Sequence, residues 1–288
     1  MQNLLAVAIK AALEAGMEIL KVYGTNFDVE IKGDNSPLTQ ADKNANEVIM
    51  GYLKTTGIPI ISEESRQIDY SVRKNWSRCW IVDPLDGTKE FIKRNGEFTV
   101  NIALIEEGDP ILGVIYVPVS KELYFTCLPA GTASEDGKTS KKITVSCASA
   151  KASSGTRTEE ISVEEILKNA ENIGPAKITS TVKIVGSRSH LNEDTKNFIS
   201  EIENRLSAEG GKNEVEIVSK GSSLKFCLVA EGLAHIYPRY APTMEWDTAA
   251  GHAICRAVGV SVIDQTTKKP MRYNKPNLLN NYFVVKAQ

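Results

Sequence analysis

The sequence predicts an α/β (α+β layered) protein with two subdomains, and two patterns support this fold class. In the first half, apolar segments at residues 98–105 and 111–116 flank a short polar turn, which predicts an antiparallel meander. From residue 183 onward, strand-like and helix-like segments alternate. Because helices cover the faces of sheets in layered proteins, we predict an N-terminal α+β subdomain over residues 1–146 and a C-terminal α/β subdomain over residues 147–288.

The composition and charge of the chain argue against a nucleic acid partner, a disulfide framework, a zinc site and a transmembrane helix. A chain of 288 residues can bury a substantial core. The formal net charge is −2 and there is no dense basic run, so a nucleic acid polymer is not an expected partner. The five cysteines are odd in number and widely spaced, which predicts reduced thiols in a cytoplasmic protein, and three histidines without paired cysteines do not predict a zinc site. No segment has the apolar length of a transmembrane helix.

The chain begins with a predicted amphipathic helix over residues 1–23. Lys10, Glu14 and Glu18 interrupt its apolar positions, so it lacks the continuous apolar core of a signal peptide. A short strand at residues 29–32 and a turn follow.

A second predicted helix starts at Thr39. Asp42 stands three residues later, in an arrangement that resembles a capping box, although that motif prefers Glu or Gln at this position. Capping and a functional role are compatible, and the sequence favours both equally.

The first acidic site candidate follows the short apolar segment 58–61. Glu63 lies directly after this segment, where α/β proteins place their ligands, although two adjacent acids can also belong to a solvated loop. If this strand ran parallel to the strand beginning at Trp80, Glu63 would lie near Asp83 and Asp86.

The segment from Trp80 onward carries the strongest chemical signal. Residues 80–82 predict a buried strand that ends before Asp83, Pro84 fixes the direction of the chain, and Asp86 follows. Two carboxylates with the Leu85 carbonyl form the all-oxygen environment that Mg²⁺ prefers. The alternative is an ordinary surface turn, because Asp-Pro and Asp-Gly pairs are common in turns.

A phosphate site is predicted next to these acids. Gly87 lets the backbone approach a ligand closely, and a short helix over residues 88–93 would present free N–H groups at its start.

The rest of the chain supplies further strands and helices. Residues 123–125 extend the meander, whereas residues 130–176 are polar and predicted to be the least ordered part, with one short helix at 163–169. The later elements are strands at 183–185, 215–218, 235–237, 260–263 and 282–285, and helices at 192–206, 224–231 and 246–258.

Asp247 stands at the start of the last of these helices. An aspartate there is most often a helix cap, which contributes about 1 kcal/mol. Beside Trp246 and three small residues, it is also placed to direct a carboxylate at a metal held by the first subdomain.

These acids predict phosphate ester hydrolysis. Glu63, Asp83, Asp86 and Asp247 could hold two or more Mg²⁺ ions, which neutralise a phosphate and activate water. Thr88 could accept the proton of that water while passing its own proton to Asp42, with Glu63 holding the water. A structural Ca²⁺ site in a protein without enzymatic activity is the alternative, but the ligands are far apart in sequence, unlike those of a calcium loop.

Five segments carry a family resemblance: residues 63–64, 83–88, 246–251, 89–101 and 221–227. The first three resemble the signatures of the Mg²⁺-dependent, Li⁺-sensitive phosphatase superfamily that includes inositol monophosphatase and fructose-1,6-bisphosphatase. The last two resemble the bacterial 3'(2'),5'-bisphosphate nucleotidases within it. Two departures from the family pattern are the long polar segment at residues 147–176 and Glu245 before Trp246.

The resemblance implies a fold, an activity and a set of site residues. The fold is an α-β-α-β-α sandwich, and the activity is hydrolysis of 3'-phosphoadenosine 5'-phosphate to AMP in sulfur metabolism, with inositol-phosphate or sugar-phosphate hydrolysis as the alternative. Two or three Mg²⁺ ions are implied. The resemblance is compatible with a homodimer and with a cytoplasmic location, with peripheral attachment to the inner membrane as a further option.

The implied residues fall into three groups. Metal ligation is assigned to Glu63, Asp83, Leu85, Asp86 and Asp247. Catalysis is assigned to Thr88, Asp42 and Glu63. Substrate binding is assigned to Glu63, Leu85, Asp86, Gly87, Thr88, Ser189, His190, Ser222, Lys225, Arg239 and Asp247, with Lys225 or Arg239 near the 5'-phosphate.

Overall fold

The computed structural model describes residues 1–31, 37–128, 140–145, 162–178, 181–186, 192–208 and 214–287. Its helices are α1 (Gln2–Tyr23), α2 (Gln40–Lys54), α3 (Tyr70–Arg73), α4 (Thr88–Ile92), α5 (Val163–Asn169), α6 (Glu193–Ala208), α7 (Leu224–Ala230) and α8 (Ala249–Ala257), with a 3₁₀ turn at Glu245–Asp247. Its strands are β1 (Val29–Ile31), β2 (Pro37–Thr39), β3 (Ile60–Ser62), β4 (Arg78–Asp86), β5 (Thr99–Glu106), β6 (Asp109–Val117), β7 (Glu122–Cys127), β8 (Lys141–Thr144), β9 (Glu171–Asn172), β10 (Thr181–Gly186), β11 (Glu214–Ser219), β12 (Ile236–Arg239), β13 (Ser261–Asp264) and β14 (Phe283–Lys286).

Two large sheets and three helical layers alternate through the described part of the molecule, and β1 pairs with β2 in a separate two-stranded sheet. The first sheet has the order β3-β4-β5-β6-β7-β8-β9, and the second has the order β11-β10-β12-β14-β13. Helices α1 and α2 pack on one face of the first sheet, α7 and α8 lie between the sheets, and α6 covers the far face of the second sheet. The predicted α-β-α-β-α sandwich is confirmed.

Alternating side chains divide the first sheet between two cores. Trp80, Val82 and Ile102 pack with the first two helices, whereas Ile81 and Ala103 pack with α7 and α8. Because successive side chains of a strand point to opposite faces, strands buried on both faces are apolar almost throughout, as β4 and β5 are.

The pairing of the first sheet agrees with the sequence prediction. β3 pairs with β4 in parallel, and the strands from β4 to β9 then pair antiparallel. The turn between β5 and β6 passes through Glu107 and Gly108, both with positive φ, as two-residue hairpin turns require. The parallel pair places the ends of β3 and β4 side by side, which is the arrangement that would bring Glu63 to Asp83.

β4 runs further than the sequence predicts. It continues through Asp83 and Pro84 to Asp86, with a register shift against β5 between the two aspartates. The prediction that the strand ends before Asp83 was wrong. Proline donates no ladder hydrogen bond, so an inner strand accommodates it only at an irregularity of this kind.

The polar region after residue 130 contains more structure than predicted where it is described. β8 and β9 extend the first sheet, and the predicted helix at residues 163–169 is present as α5. Val163 and Ile166 of this helix are buried in the core under α1. β9 lies beyond residue 146, the predicted subdomain boundary, and still pairs with β8; the boundary itself stays a prediction.

Four of the five cysteines lie in the described regions. Cys79, Cys227 and Cys255 are buried and free, and Cys127 is free and half-buried; Cys147 lies outside the described residues. Within those residues, every helix is too short or too polar to cross a bilayer.

Candidate active site

The candidate site lies between the two halves of the chain. The segment from Asp86 to Glu90 and the loop before α7 line one cavity together with Arg239 and Asp247. Each of these segments follows a strand or precedes a helix, so rigid elements hold the lining side chains. The site combines residues that are more than 100 positions apart in sequence.

Asp42 joins a helix start to the site. Its Oδ2 accepts hydrogen bonds from the Thr39 backbone N–H at 2.7 Å and the Thr39 hydroxyl at 2.6 Å, which completes a capping box at the start of α2. Its Oδ1 accepts from the Thr88 hydroxyl at 3.2 Å. Asp42 is 1% exposed, so this carboxylate is fixed by both contacts. The capping expectation is therefore confirmed, and the geometry also permits proton transfer from Thr88.

Thr88 is held from a second side. Its hydroxyl lies 3.4 Å from the Leu85 carbonyl oxygen as well as 3.2 Å from Asp42. Since one hydroxyl carries one proton and two acceptor lone pairs, Thr88 can donate to Asp42 and still accept a proton from a third group.

The predicted metal-binding acids lie close enough to affect one another. Burial raises the pKa of Asp83 well above its usual value, and the charges of Glu63, Asp86 and Asp247 raise it further. Burial followed by the charge of Asp86 raises the pKa of Asp247 to about 8. Such concentrated negative charge in a buried site disfavours the ionised carboxylates unless a cation is present.

Local hydrogen bonds orient three of these acids. Asp83 Oδ1 accepts from the Leu85 N–H at 3.0 Å, and Asp247 Oδ2 accepts from the Met244 N–H at 2.8 Å. Asp247 therefore does not cap α8 as predicted; its carboxylate closes the 3₁₀ turn before that helix, because the chain makes this turn before α8 begins. Asp86 Oδ2 accepts from the Ser223 hydroxyl at 2.6 Å.

This donor set suits a hard divalent cation. Four carboxylates with a backbone carbonyl at Leu85 are oxygen ligands, which Mg²⁺ and Ca²⁺ prefer over nitrogen or sulfur ligands. Across the described stretches of the chain, no three Asp, Glu, His or Cys side chains already stand together in the arrangement of a metal site. Asp86 and Asp247 line the cavity, whereas Asp83 is buried beside them.

Close packing shapes the pocket around Gly87. Gly87 has φ +96°, and a Cβ atom there would lie 3.2 Å from Ser222 Cβ and 3.3 Å from the Glu97 carbonyl oxygen. Ser222 itself has φ +39°, in the strained left-handed region, and its hydroxyl donates to the Glu97 carbonyl at 3.0 Å. Gly87 and Ser222 thus bring the two halves of the chain into direct contact beside Thr88.

Three cationic side chains line the same cavity: Lys89, Lys225 and Arg239. Lys225 is 5% exposed, its Nζ donates to the Ser222 carbonyl at 2.5 Å, and burial lowers its pKa to about 8. Arg239 Nε is buried and, among the described residues, has no hydrogen-bond partner. A buried guanidinium nitrogen without a partner is costly, so this group is suited to an anion.

The sequence missed several polar side chains of the site. Asn101 and Ser223 are each 1% exposed and link Asp86 to the second half of the chain. In the sequence, Asn101 is a polar residue inside an apolar strand and Ser223 is a serine before a helix. Neither pattern indicates which side chain the residue will hydrogen-bond. Ser189 and His190, which were predicted to contact the substrate, lie outside the described residues.

Glu245, the departure from the family pattern, has a structural explanation. Its carboxylate is fully buried and accepts from the backbone N–H groups of Asn274 and Lys275 at 2.6 and 3.0 Å, and from Lys275 Nζ at 2.5 Å. The buried charge is thereby paired and hydrogen-bonded. It anchors the loop around residue 275 to the turn that carries Asp247.

The fold and the acidic pocket define a phosphatase of the sandwich type, and comparison with known proteins identifies the family. The chain belongs to the inositol monophosphatase family, whose sequence model matches residues 1–287. Members of this family are Mg²⁺-dependent in general. The resemblance drawn from the motifs is confirmed.

Individual relatives narrow the comparison. The chain is 43% identical over 279 residues to the 3'(2'),5'-bisphosphate nucleotidase CysQ of Shigella flexneri, covering 95% of this chain and 96% of the relative. It is 30% identical to the protein of the same name from Haemophilus influenzae, covering 99% and 93%. The crystal structure of CysQ from Bacteroides thetaiotaomicron superposes with a TM-score of 0.82 at 46% identity, covering 100% of this chain and 98% of that one.

Proposed function

We propose that this protein is a 3'(2'),5'-bisphosphate nucleotidase that hydrolyses 3'-phosphoadenosine 5'-phosphate to AMP and phosphate. One observation carries the choice of substrate: a single cavity is lined both by carboxylates, at Asp86 and Asp247, and by the cations Lys225 and Arg239. A substrate with two phosphates can bind one through metal ions held by the carboxylates and the other through the cations. The names of the relatives support the same activity.

The acidic side chains and the Leu85 carbonyl form the reaction centre in this proposal. Glu63, Asp83, Asp86, Asp247 and the Leu85 carbonyl would hold two or three Mg²⁺ ions. When bound, these ions offset the negative charge of the phosphate and acidify water. The 3'-phosphate would lie against Gly87 and Thr88, because Gly87 leaves room for a close backbone approach.

The proton path uses the observed contacts of Thr88. Thr88 takes a proton from the attacking water on its Oγ1 and gives its own proton to Asp42 Oδ1, 3.2 Å away. Glu63 orients the same water. Attack of the water oxygen on phosphorus forms the new P–O bond and breaks the P–O3' bond, whose electron pair leaves with O3'. O3' takes a proton from a solvent water and Asp42 returns its proton to solvent, so the products are AMP and inorganic phosphate. Thr39 keeps Asp42 in place through two hydrogen bonds.

Lys225 and Arg239 would bind the 5'-phosphate. Arg239 Nε is buried and lacks a partner among the described residues, and Lys225 lies deep in the same wall. Ser222 also lines the pocket, and Ser189 and His190 complete the proposed contacts to the nucleotide. Charge-assisted hydrogen bonds of this type are about twice as strong as neutral ones.

A substrate comparison tests the proposal. Phosphate release from 3'-phosphoadenosine 5'-phosphate and from inositol 1-phosphate is measured at matched Mg²⁺ concentrations. We expect a clear preference for the bisphosphate. A preference for inositol 1-phosphate would instead establish the inositol-phosphate or sugar-phosphate alternative.

Two further measurements test the metal site. Asp83→Asn should abolish hydrolysis while the circular dichroism spectrum remains that of the wild type; retained activity would exclude Asp83 as a ligand. Millimolar Li⁺ should inhibit at limiting Mg²⁺, as the family resemblance implies, and unchanged turnover would contradict that inference.

We also propose an arrangement of the subdomains, an oligomeric state and a location for this protein. The subdomains would meet at the site, with most acids on the first and the nucleotide contacts on the second. A homodimer would be seen by light scattering of the purified protein. Attachment to the inner membrane would be seen by fractionation of cells in low and high salt.

A further inference from the structure

A buried hydrogen-bond network holds Asp86 from both halves of the chain. Ser223 Oγ donates to Asp86 Oδ2 at 2.6 Å, and Asn101 Nδ2 donates to the same oxygen at 3.2 Å. Asn101 Nδ2 also donates to Ser223 Oγ at 2.7 Å. The three side chains form a closed triangle in which the two neutral groups support each other.

A second layer fixes the network. The Thr99 hydroxyl donates to Asn101 Oδ1 at 3.0 Å, which sets the orientation of the amide so that its N–H groups face Asp86 and Ser223. Thr99 is fully buried and Asn101 is 1% exposed. The pairing of β4 with β5 places Asn101 opposite Asp83 and Thr99 opposite Asp86, so the network lies directly beneath the acidic segment.

The network selects one oxygen of the carboxylate. Both hydrogen bonds go to Oδ2, and no donor in the described regions bonds to Oδ1 of Asp86. A carboxylate held through one oxygen has a fixed rotation about its last bond, and the other oxygen then points in one direction. Ser223 Oγ also lies 3.0 Å from the Asp247 carbonyl oxygen, so the same hydroxyl touches the segments of two proposed ligands.

We propose that Ser223 and Asn101 are positioning residues that orient Asp86 for divalent cation binding. The inference rests on the proposed role of Asp86 as a metal ligand. Hydrogen-bonding partners of a metal ligand tune its affinity, and their loss commonly weakens metal binding about 10- to 100-fold. Neither residue touches the substrate in this proposal; both act through Asp86.

A matched control separates positioning from general stability. Ser140 is fully buried, and its hydroxyl donates to the Ile254 carbonyl at 2.8 Å, away from the acidic pocket. Ser140→Ala and Ser223→Ala remove the same group from equally buried sites. Both variants should lose stability, but only Ser223→Ala should lose affinity for Mg²⁺.

The experiment measures Mg²⁺ binding by isothermal titration calorimetry without substrate. We expect the dissociation constant to rise about 10- to 100-fold in Ser223→Ala and to stay within twofold of wild type in Ser140→Ala. Asn101→Ala should also raise the dissociation constant for Mg²⁺, and this variant provides the test if Ser223→Ala does not fold. The variant with both substitutions should bind Mg²⁺ only slightly more weakly than whichever single variant has the higher dissociation constant, because the two residues act through one carboxylate.

The activity of the variants gives an independent readout. If Ser223 positions a metal ligand, turnover of Ser223→Ala should recover to within a few-fold of wild type at saturating Mg²⁺. A purely structural role predicts a loss that added Mg²⁺ does not correct. Wild-type affinity for Mg²⁺ in folded Ser223→Ala and Asn101→Ala would overturn the inference, whereas wild-type protein that binds no Mg²⁺ would overturn the proposed function itself.

Discussion

Replacing Gly251 by alanine should destabilise the protein, although alanine is the better helix former. Gly251 lies in the first turn of α8, next to the Asp247 segment, and packs on Phe226 of α7. A Cβ atom on residue 251 would lie 2.4, 2.6 and 2.7 Å from three atoms of the Phe226 side chain. These separations are about 1 Å shorter than ordinary carbon contacts.

The size of the effect follows from what surrounds the ring. Phe226 is 2% exposed, and Tyr237 and Phe283 lie 5.3 and 5.8 Å from its centroid, so the ring cannot move aside without displacing both. Overpacking of this kind costs about 1–3 kcal/mol. Removing glycine from a helix returns at most about 1 kcal/mol. With the full return, the net loss should therefore reach about 2 kcal/mol, or several degrees in melting temperature.

A second helical glycine provides the control. Gly51 lies inside α2, and no atom lies within 4 Å of the place that a Cβ would take there, so Gly51→Ala should gain up to about 1 kcal/mol. Urea unfolding of both variants, at one pH and without Mg²⁺, measures the two changes. Opposite signs are expected. If Gly251→Ala were stabilised as much as Gly51→Ala, close packing of α7 on α8 would not explain this glycine.

Three further predictions concern buried titratable groups: His252, Lys225 and the ion pair of Lys275 with Glu245. Burial lowers the pKa of His252 to about 3 from 6.5, so the unfolded chain binds more protons between these values, and stability should fall by up to about 1.4 kcal/mol for each pH unit below 6.5. Urea unfolding at pH 5 and 7 should show a smaller loss in His252→Asn, and equal losses would contradict this assignment. Lys225→Met should raise the KM for the bisphosphate about 10- to 100-fold with less effect on kcat, and an unchanged KM would exclude its role in anchoring the phosphate. Lys275→Met should destabilise the protein by more than the roughly 1 kcal/mol of an exposed ion pair and less than the ~5 kcal/mol of a buried one, because Lys275 is partly exposed while Glu245 is not. An unchanged midpoint of urea unfolding would show that the pair contributes nothing.

Much of the fold could be predicted because its strands are local patterns. The segments around β5 and β6 are apolar runs joined by a short polar turn, and the structure pairs them in the predicted hairpin, with strand bounds that differ from the prediction by one or two residues. β8 and β9 were missed because their burial depends on neighbours elsewhere: β8 is partly exposed and polar, and it is held by pairing with β7. Short edge strands of this kind carry little hydrophobic signal of their own.

The site, like the fold, has one part that local sequence patterns predict and another part that depends on residues distant in sequence. Asp83, Asp86 and Thr88 lie in one short segment, so their convergence could be inferred from spacing and turn chemistry. Ser223 and Asn101 are 122 residues apart, and nothing local to either residue indicates that they share a hydrogen bond. The role of Glu245 was hidden for the same reason, because its partners lie about 30 residues further along the chain.

The acidic pocket works against the stability of the fold that carries it. The raised pKa values of Asp83 and Asp247 mean that the folded protein binds protons more tightly than the unfolded chain, so these acids destabilise the folded state progressively as the pH rises toward neutrality. Hydrogen bonds from Leu85, Met244 and Ser223 fix the carboxylates but do not neutralise them. The two apolar cores on either face of the first sheet must therefore supply the free energy that keeps the acids together. A cation that binds only the folded state offsets part of this cost, which couples the chemistry of the site to the stability of the sandwich.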